Sequence, residues 1–166
     1  MLKKINGLAP FFEDCYREIS VREYSREIGI SPPTASKILK EYSNDGFLSK
    51  REHRGFIFFI INRENKILQD LSRIYWAGKL KKFFDCVEKT FPKAIVLFGS
   101  LSKLEARKES DVDVAVFGSS KKIDIVKFEK EIGREIHVFY YDSFEKVNKK
   151  IRVAILNGYL VRGYLQ

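Results

Sequence analysis

Cysteine is scarce, and the two that occur exclude two kinds of protein. Cys15 and Cys86 stand far apart with no metal-ligand spacing, so neither a disulfide-stapled scaffold nor a zinc module is encoded. They read as thiols of a reducing cytosol. Long apolar runs are missing as well. The longest, Phe56 to Ile61, is far shorter than the roughly 20 residues that a membrane-spanning helix needs. No secretory-type leader is evident. The expectation is a soluble, cytoplasmic protein with no membrane partner. Gly/Ser-rich tethers, internal repeats and low-complexity tracts are also lacking. Negative charge is in deficit: 31 Lys and Arg against 22 Asp and Glu leave a formal charge of +9, which favours polyanionic partners.

What is present fits one ordinary domain or two small ones, since the chain has 166 residues and is 45% apolar. One segment carries the chemistry. Ala94 to Phe98 is an apolar run that ends in Gly99-Ser100. After ten intervening residues Asp111-Val112-Asp113 opens a second apolar run, which ends at Phe117. Side chains alternate along a strand, so Asp111 and Asp113 share a face. Two carboxylates on one face build a poor core and a good magnesium site, because Mg²⁺ takes one or two carboxylates and leaves room for phosphates. A Gly-Ser turn after a strand lets backbone N–H groups approach a phosphate.

This pattern resembles the DNA polymerase beta nucleotidyltransferase superfamily in its minimal form: strand, Gly-Ser, a spacer of this length, then Asp-x-Asp opening the next strand. The resemblance runs from about Leu80 to the C-terminus. It includes the tail Ile155-Leu156-Asn157-Gly158-Tyr159-Leu160-Val161-Arg162-Gly163, which looks like the closing helix and strand. It implies Mg²⁺ as cofactor, held by Asp111 and Asp113, and a nucleoside triphosphate gripped by Gly99, Ser100 and Lys103. It also implies transfer of a nucleoside monophosphate to a hydroxyl, with protein, RNA and small-molecule acceptors all open. Two departures stand out. Leu104 takes a place where the superfamily often has glycine. His137 takes the place of the usual third acidic residue, on the strand Arg134-Glu135-Ile136-His137-Val138-Phe139. An imidazole suits Mg²⁺ poorly but can accept a proton. Glu135 shares the face of His137 at a displacement of about 6.6 Å. Both residues are candidate catalytic groups beside Asp111 and Asp113.

The first third has a different character. Ser20 is a candidate N-cap for a helix carrying Val21, Tyr24, Ser25 and Ile28 at helical spacing, and Gly29 breaks it. Ser31 and Pro32 open a second helix with Ala35, Ile38, Leu39 and Tyr42 on its buried side, ending near Gly46. Strand-like stretches at 47–50 and 55–61 flank a charged turn, Arg51-Glu52-His53-Arg54. Residues 8–62 therefore resemble a winged helix-turn-helix domain. The resemblance implies DNA contacts by Thr34, Ser36, Lys37 and Lys40 on the second helix and by Lys50, Arg51 and Arg54 on the wing. A homodimer is a further expectation.

The expected fold class is α+β, with a winged helix over residues 1–63 and a nucleotidyltransferase-like domain over 64–166. The second domain begins with a helical connection at 64–90 that Gly78 kinks or divides. The order expected after Pro92 is strand 94–98, helix 100–106, strand 112–117, helix 123–132, strand 135–141, helix 143–157 and a final extended piece, in a small mixed sheet. Two further functional readings stand beside the transferase. One is a transcription regulator whose transferase half binds nucleotide or mediates assembly without turnover. The other is an antitoxin-like partner of a toxin.

Overall fold

The computed structural model describes residues 2–119 and 121–165. It is a mixed α+β structure with seven helices and two sheets among those residues. Internal contacts divide it into two units. The first comprises the residues up to Ser72 together with Leu104–Lys108, and the second comprises Arg73–Lys103 and the residues from Glu109 onward.

In the first unit, helix α1 (Leu2–Glu13) buries Ile5, Leu8, Phe11 and Phe12, which recur at helical spacing. Strand β1 (Ile19–Ser20) leads directly into α2 (Val21–Ile28). The Ser20 side chain accepts from the Glu23 N–H, and the Glu23 carboxylate accepts from the Ser20 N–H at 2.9 Å, a complete capping box. Gly29 closes α2 at φ 73°, a conformation that costs glycine nothing. Ser31 caps α3 (Pro32–Asn44), which buries Ala35, Leu39 and Tyr42. Tyr24 ties α2 to α1 by donating to the Gly7 carbonyl at 2.8 Å. A Cβ on Gly7 would lie 2.2 Å from the Tyr42 hydroxyl, so the three helices meet only because that position is glycine.

Strands β2 (Leu48–His53) and β3 (Phe56–Ile61) form an antiparallel hairpin, and β3 lies between β2 and β1. The expected charged turn is shorter than the sequence suggested. Arg51, Glu52 and His53 stay in the ladder opposite Phe58, Ile57 and Phe56, and only Arg54 and Gly55 turn. Both have positive φ, 51° and 77°, which is the two-residue turn that matches the twist of a hairpin.

Helix α4 (Lys66–Lys79) runs from the first unit into the second, where α5 (Lys81–Glu88) follows. The break falls at Leu80, not at Gly78, which stays helical. Leu80 leaves helical ψ (6°) with its side chain fully buried, an anchor that glycine lacks. The second sheet has the order β6-β5-β4-β7, from β4 (Ala94–Phe98), β5 (Val112–Phe117), β6 (Ile136–Tyr141) and β7 (Tyr159–Gly163). β5 pairs parallel with β6, while β4 pairs antiparallel with β5 and β7. Helix α6 (Val126–Ile132) makes the parallel crossover and ends at Gly133 with φ 73°.

Helix α7 (Lys149–Leu156) lends Ile155 to a core with Ala94, Val96, Phe98, Ala115 and Phe117. The alternate residues Ile95, Leu97, Val114 and Val116 are buried as well, so β4 and β5 read as continuous apolar runs. Three expected helices are shorter than predicted, and the one at 123–132 begins only at Val126. The one at 100–106 is a single turn, Leu101–Lys103, because Leu104 adopts φ 60°. The one at 143–157 is a turn at Phe144–Lys146 followed by α7, because Asn148 leaves helical ψ (135°) and caps the Lys150 N–H. Among the described residues no helix is long and apolar enough to cross a membrane.

Candidate active site

The site is built where β4 ends and β5 begins. Phe98 pairs with Asp113, so the Gly99-Ser100 turn leaves the sheet beside that aspartate. Gly99 has φ 77°, and a Cβ there would fall 2.3 Å from Asp113 Oδ2. Glycine is thus required twice over, by its dihedral and by the approach of a carboxylate. The turn is pinned by the Ser102 hydroxyl, which donates to the Gly99 carbonyl at 3.0 Å, and by the Lys103 N–H, which donates to the Ser100 carbonyl at 3.2 Å. Gly99, Ser100 and Lys103 are all half-buried.

Asp111 and Asp113 flank the fully buried Val112 and share the opposite face, as strand alternation demands. Burial pushes the Asp113 carboxyl above the ordinary carboxylate range. His137 opposes that shift, and the neighbouring Asp111 charge adds to it.

His137 lies directly across from Asp113 on the parallel neighbour β6. Its Nδ1 is 3.6 Å from Asp113 Oδ1 and 3.9 Å from Asp111 Oδ2. Glu135 is largely exposed, and its Oε2 lies 3.9 Å from His137 Nε2, on the side of the ring away from Nδ1 and the aspartates. The four groups thus form a row in which the imidazole stands between the Asp pair and the glutamate. Among the described residues no three His, Cys, Asp or Glu side chains are already gathered as a metal cluster.

Two arginines near this site have no signal in the sequence. Arg134 is buried, donates from Nη1 to the Ser110 carbonyl at 2.6 Å and lies 4.9 Å from the Trp76 ring, so it anchors the residue just before Asp111. Arg73 donates from Nε to the Ser102 carbonyl at 2.9 Å and from Nη2 to the Asn157 carbonyl at 3.0 Å. It anchors the turn that follows Gly99-Ser100. A lone arginine looks like surface until the fold buries it. Leu104, at φ 60°, explains the glycine that the superfamily often has at this place: the backbone is left-handed here, and leucine accepts the strain with its side chain fully buried.

The residues expected at DNA lie in the first unit. Thr34, Lys37, Lys40, Lys50, Arg51 and Arg54 are exposed and Ser36 is half-buried. Arg51 is already engaged, donating to Glu18 at 2.7 Å. The Thr34 and Ser31 hydroxyls share a 2.8 Å hydrogen bond at the start of α3.

A glycine turn beside two carboxylates at the end of a mixed sheet is the arrangement of a nucleotidyltransferase-type domain. Residues 78–163 match the family described as "Polymerase beta, Nucleotidyltransferase", and the chain belongs to that family. No curated protein and no solved structure matches the chain.

Proposed function

We propose that this protein is a magnesium-dependent nucleotidyltransferase that moves a nucleoside monophosphate from a nucleoside triphosphate to a hydroxyl acceptor. Its N-terminal unit, read as a winged helix-turn-helix, directs it to DNA. The observation that carries the reading is the pairing of Asp111 and Asp113 on one face, in contact distance of a glycine turn that tolerates no side chain.

The donor set fits the metal. Two hard carboxylates, one disfavoured as a lone charge by its own burial, are relieved by a hard divalent cation. Asp111 and Asp113 would hold it. Bound there, Mg²⁺ supplies neutralisation of the charge that builds on the phosphoryl oxygens. Gly99 and Ser100 hold the β- and γ-phosphates through the turn backbone, and Lys103 adds a cation. The acceptor oxygen attacks the α-phosphorus, the bond to the bridging oxygen breaks, and pyrophosphate leaves with that electron pair. The acceptor proton passes to His137 Nε2 or to the Glu135 carboxylate, which lie 3.9 Å apart.

A second reading rests on His137 itself. It stands in register with Asp113, where the superfamily usually has its third acid. A chain that binds nucleotide there without turnover would be a DNA-binding regulator sensing nucleotide.

Calorimetry with each Mg-nucleoside triphosphate, on wild type and on Asp111→Ala/Asp113→Ala, separates the readings when the same samples are assayed for pyrophosphate release. Aspartate-dependent binding with release on adding cell extract supports the transferase. Binding without release supports the regulator. Binding unaffected by the double substitution removes the metal assignment from both.

A further inference from the structure

The β2–β3 hairpin carries its two most exposed apolar residues at its tip. Phe56 is 67% and Ile57 51% exposed. They are neighbours on β3, so they project from opposite faces of the ribbon, and both sit beside the two-residue Arg54-Gly55 turn. Farther down the same strand Phe59 and Ile61 are buried, at 2% and 4%. The apolar character therefore continues past the point where the core ends. Large apolar side chains at a narrow tip gain nothing from water.

Charge decides what they face. Arg54 lies in the turn itself, Lys50 and Arg51 follow on β2 across from Phe59 and Phe58, and Glu52 stands across from Ile57. Arg51 is tied to Glu18, which leaves Lys50 and Arg54 as the two cations set against Glu52. An apolar point flanked by two cations matches a surface that is anionic outside and apolar within. A DNA duplex is such a surface, with phosphates lining the groove and base stacks beneath. Apolar wedges of this kind enter from the minor groove, part a base step and kink the helix.

We propose that the hairpin tip is a DNA-bending wedge, with Phe56 and Ile57 inserting at a base step and Lys50 and Arg54 gripping the flanking phosphates. This rests on the DNA-directed reading above and adds a deformation that the reading does not require. The favoured sites are flexible pyrimidine–purine steps, which unstack at least cost.

The test uses the full chain and a duplex of about 30 base pairs with a central TA step, labelled at both ends and studied at low salt. Anisotropy reports binding, and end-to-end energy transfer reports bending. Wild type is expected to raise both, with a bend between about 20° and 90°. Phe56→Ala/Ile57→Ala should still bind, with Kd raised less than about tenfold because insertion and unstacking offset each other, and should leave energy transfer at the free-DNA level. Both side chains are exposed, so circular dichroism should match wild type. Lys50→Ala/Arg54→Ala should weaken binding yet bend the duplex at saturation.

Wild-type binding without a rise in energy transfer overturns the wedge alone. Bending that survives Phe56→Ala/Ile57→Ala overturns it too. No anisotropy change overturns the DNA-directed reading and the wedge together. Vesicles of phosphatidylglycerol serve as the remaining probe: binding to them that depends on Phe56 and Ile57, with none to DNA, would assign the tip to an anionic membrane instead.

Discussion

At the scale of single residues, the site stores a conflict between burial and charge at Asp113. Its folded-state pKa is raised, first by burial. A raised carboxyl contributes stability that is fully present below its unfolded value and is lost as pH rises through the folded one. At neutral pH the ionised Asp113 therefore works against folding. Asp113→Asn removes that charge with little change of shape. It is expected to raise the melting temperature at pH 7, to lose this advantage as pH falls toward the ordinary aspartate range, and to abolish Mg-dependent nucleotide binding. Thermal unfolding across pH, paired with calorimetry, checks all three. Gly99→Ala should fail the other way. Its φ of 77° costs a non-glycine residue about 1–2 kcal/mol, and its Cβ would meet Asp113 Oδ2 at 2.3 Å. The melting temperature should fall and nucleotide binding should be lost together, because the aspartate must move to admit the methyl. The pairing of Asp111 and Asp113 was legible in the sequence because strand alternation needs no tertiary knowledge. The supports from Arg134 and Arg73 were not, since both bind backbone carbonyls that only the fold brings near.

At the scale of elements, caps and patterns were more legible than breaks. Ser20, Gly29, Ser31, Pro32 and Gly133 mark helix ends by local chemistry, and each marks one here. The break at Leu80 and the arrested turn after Lys103 were hidden because a buried leucine, not a glycine or proline, sits at each. The capping box yields a prediction of its own. Glu23 has its pKa lowered, first by the hydrogen bond from the Ser20 N–H and next by the Ser20 hydroxyl. A depressed carboxyl contributes stability above its unfolded value and loses it as pH falls through the folded one. Glu23→Ala should therefore cost about 1 kcal/mol near neutral pH, and the gap to wild type should close in acid, where both lack the charge. Denaturant titrations at neutral and acid pH would reveal a constant gap if the carboxylate were idle.

At the scale of the whole molecule, the chain passes between its two units at three places: inside α4 and on either side of Leu104–Lys108. That short segment lies between the Gly99-Ser100 turn and the Asp111-Asp113 pair, yet it folds with the first unit. The Cys15 N–H donates to the Ala106 carbonyl at 2.8 Å, Ala106 is buried, and the Arg107 guanidinium lies 3.8 Å from the Tyr16 ring. Arg63 lies 4.1 Å from the same ring. Each such cation–π contact is worth about 0.5–1 kcal/mol at an exposed site. Tyr16→Ala should therefore loosen the segment while sparing the core, and trypsin should cut faster after Arg107 and Lys108. The Gly99-Ser100 turn and the aspartate pair are covalent neighbours of this segment, so a looser segment orders less of the site in advance. Mg-nucleotide affinity should fall by up to about tenfold in Tyr16→Ala, the share of the lost contacts that reaches the site. Linkage requires the converse in direction, that saturating Mg-nucleotide slows the same tryptic cuts in wild type. Faster cutting with unchanged affinity would show the segment to be held by Tyr16 for folding alone. Equal cutting of both proteins would show that Tyr16 does not hold it.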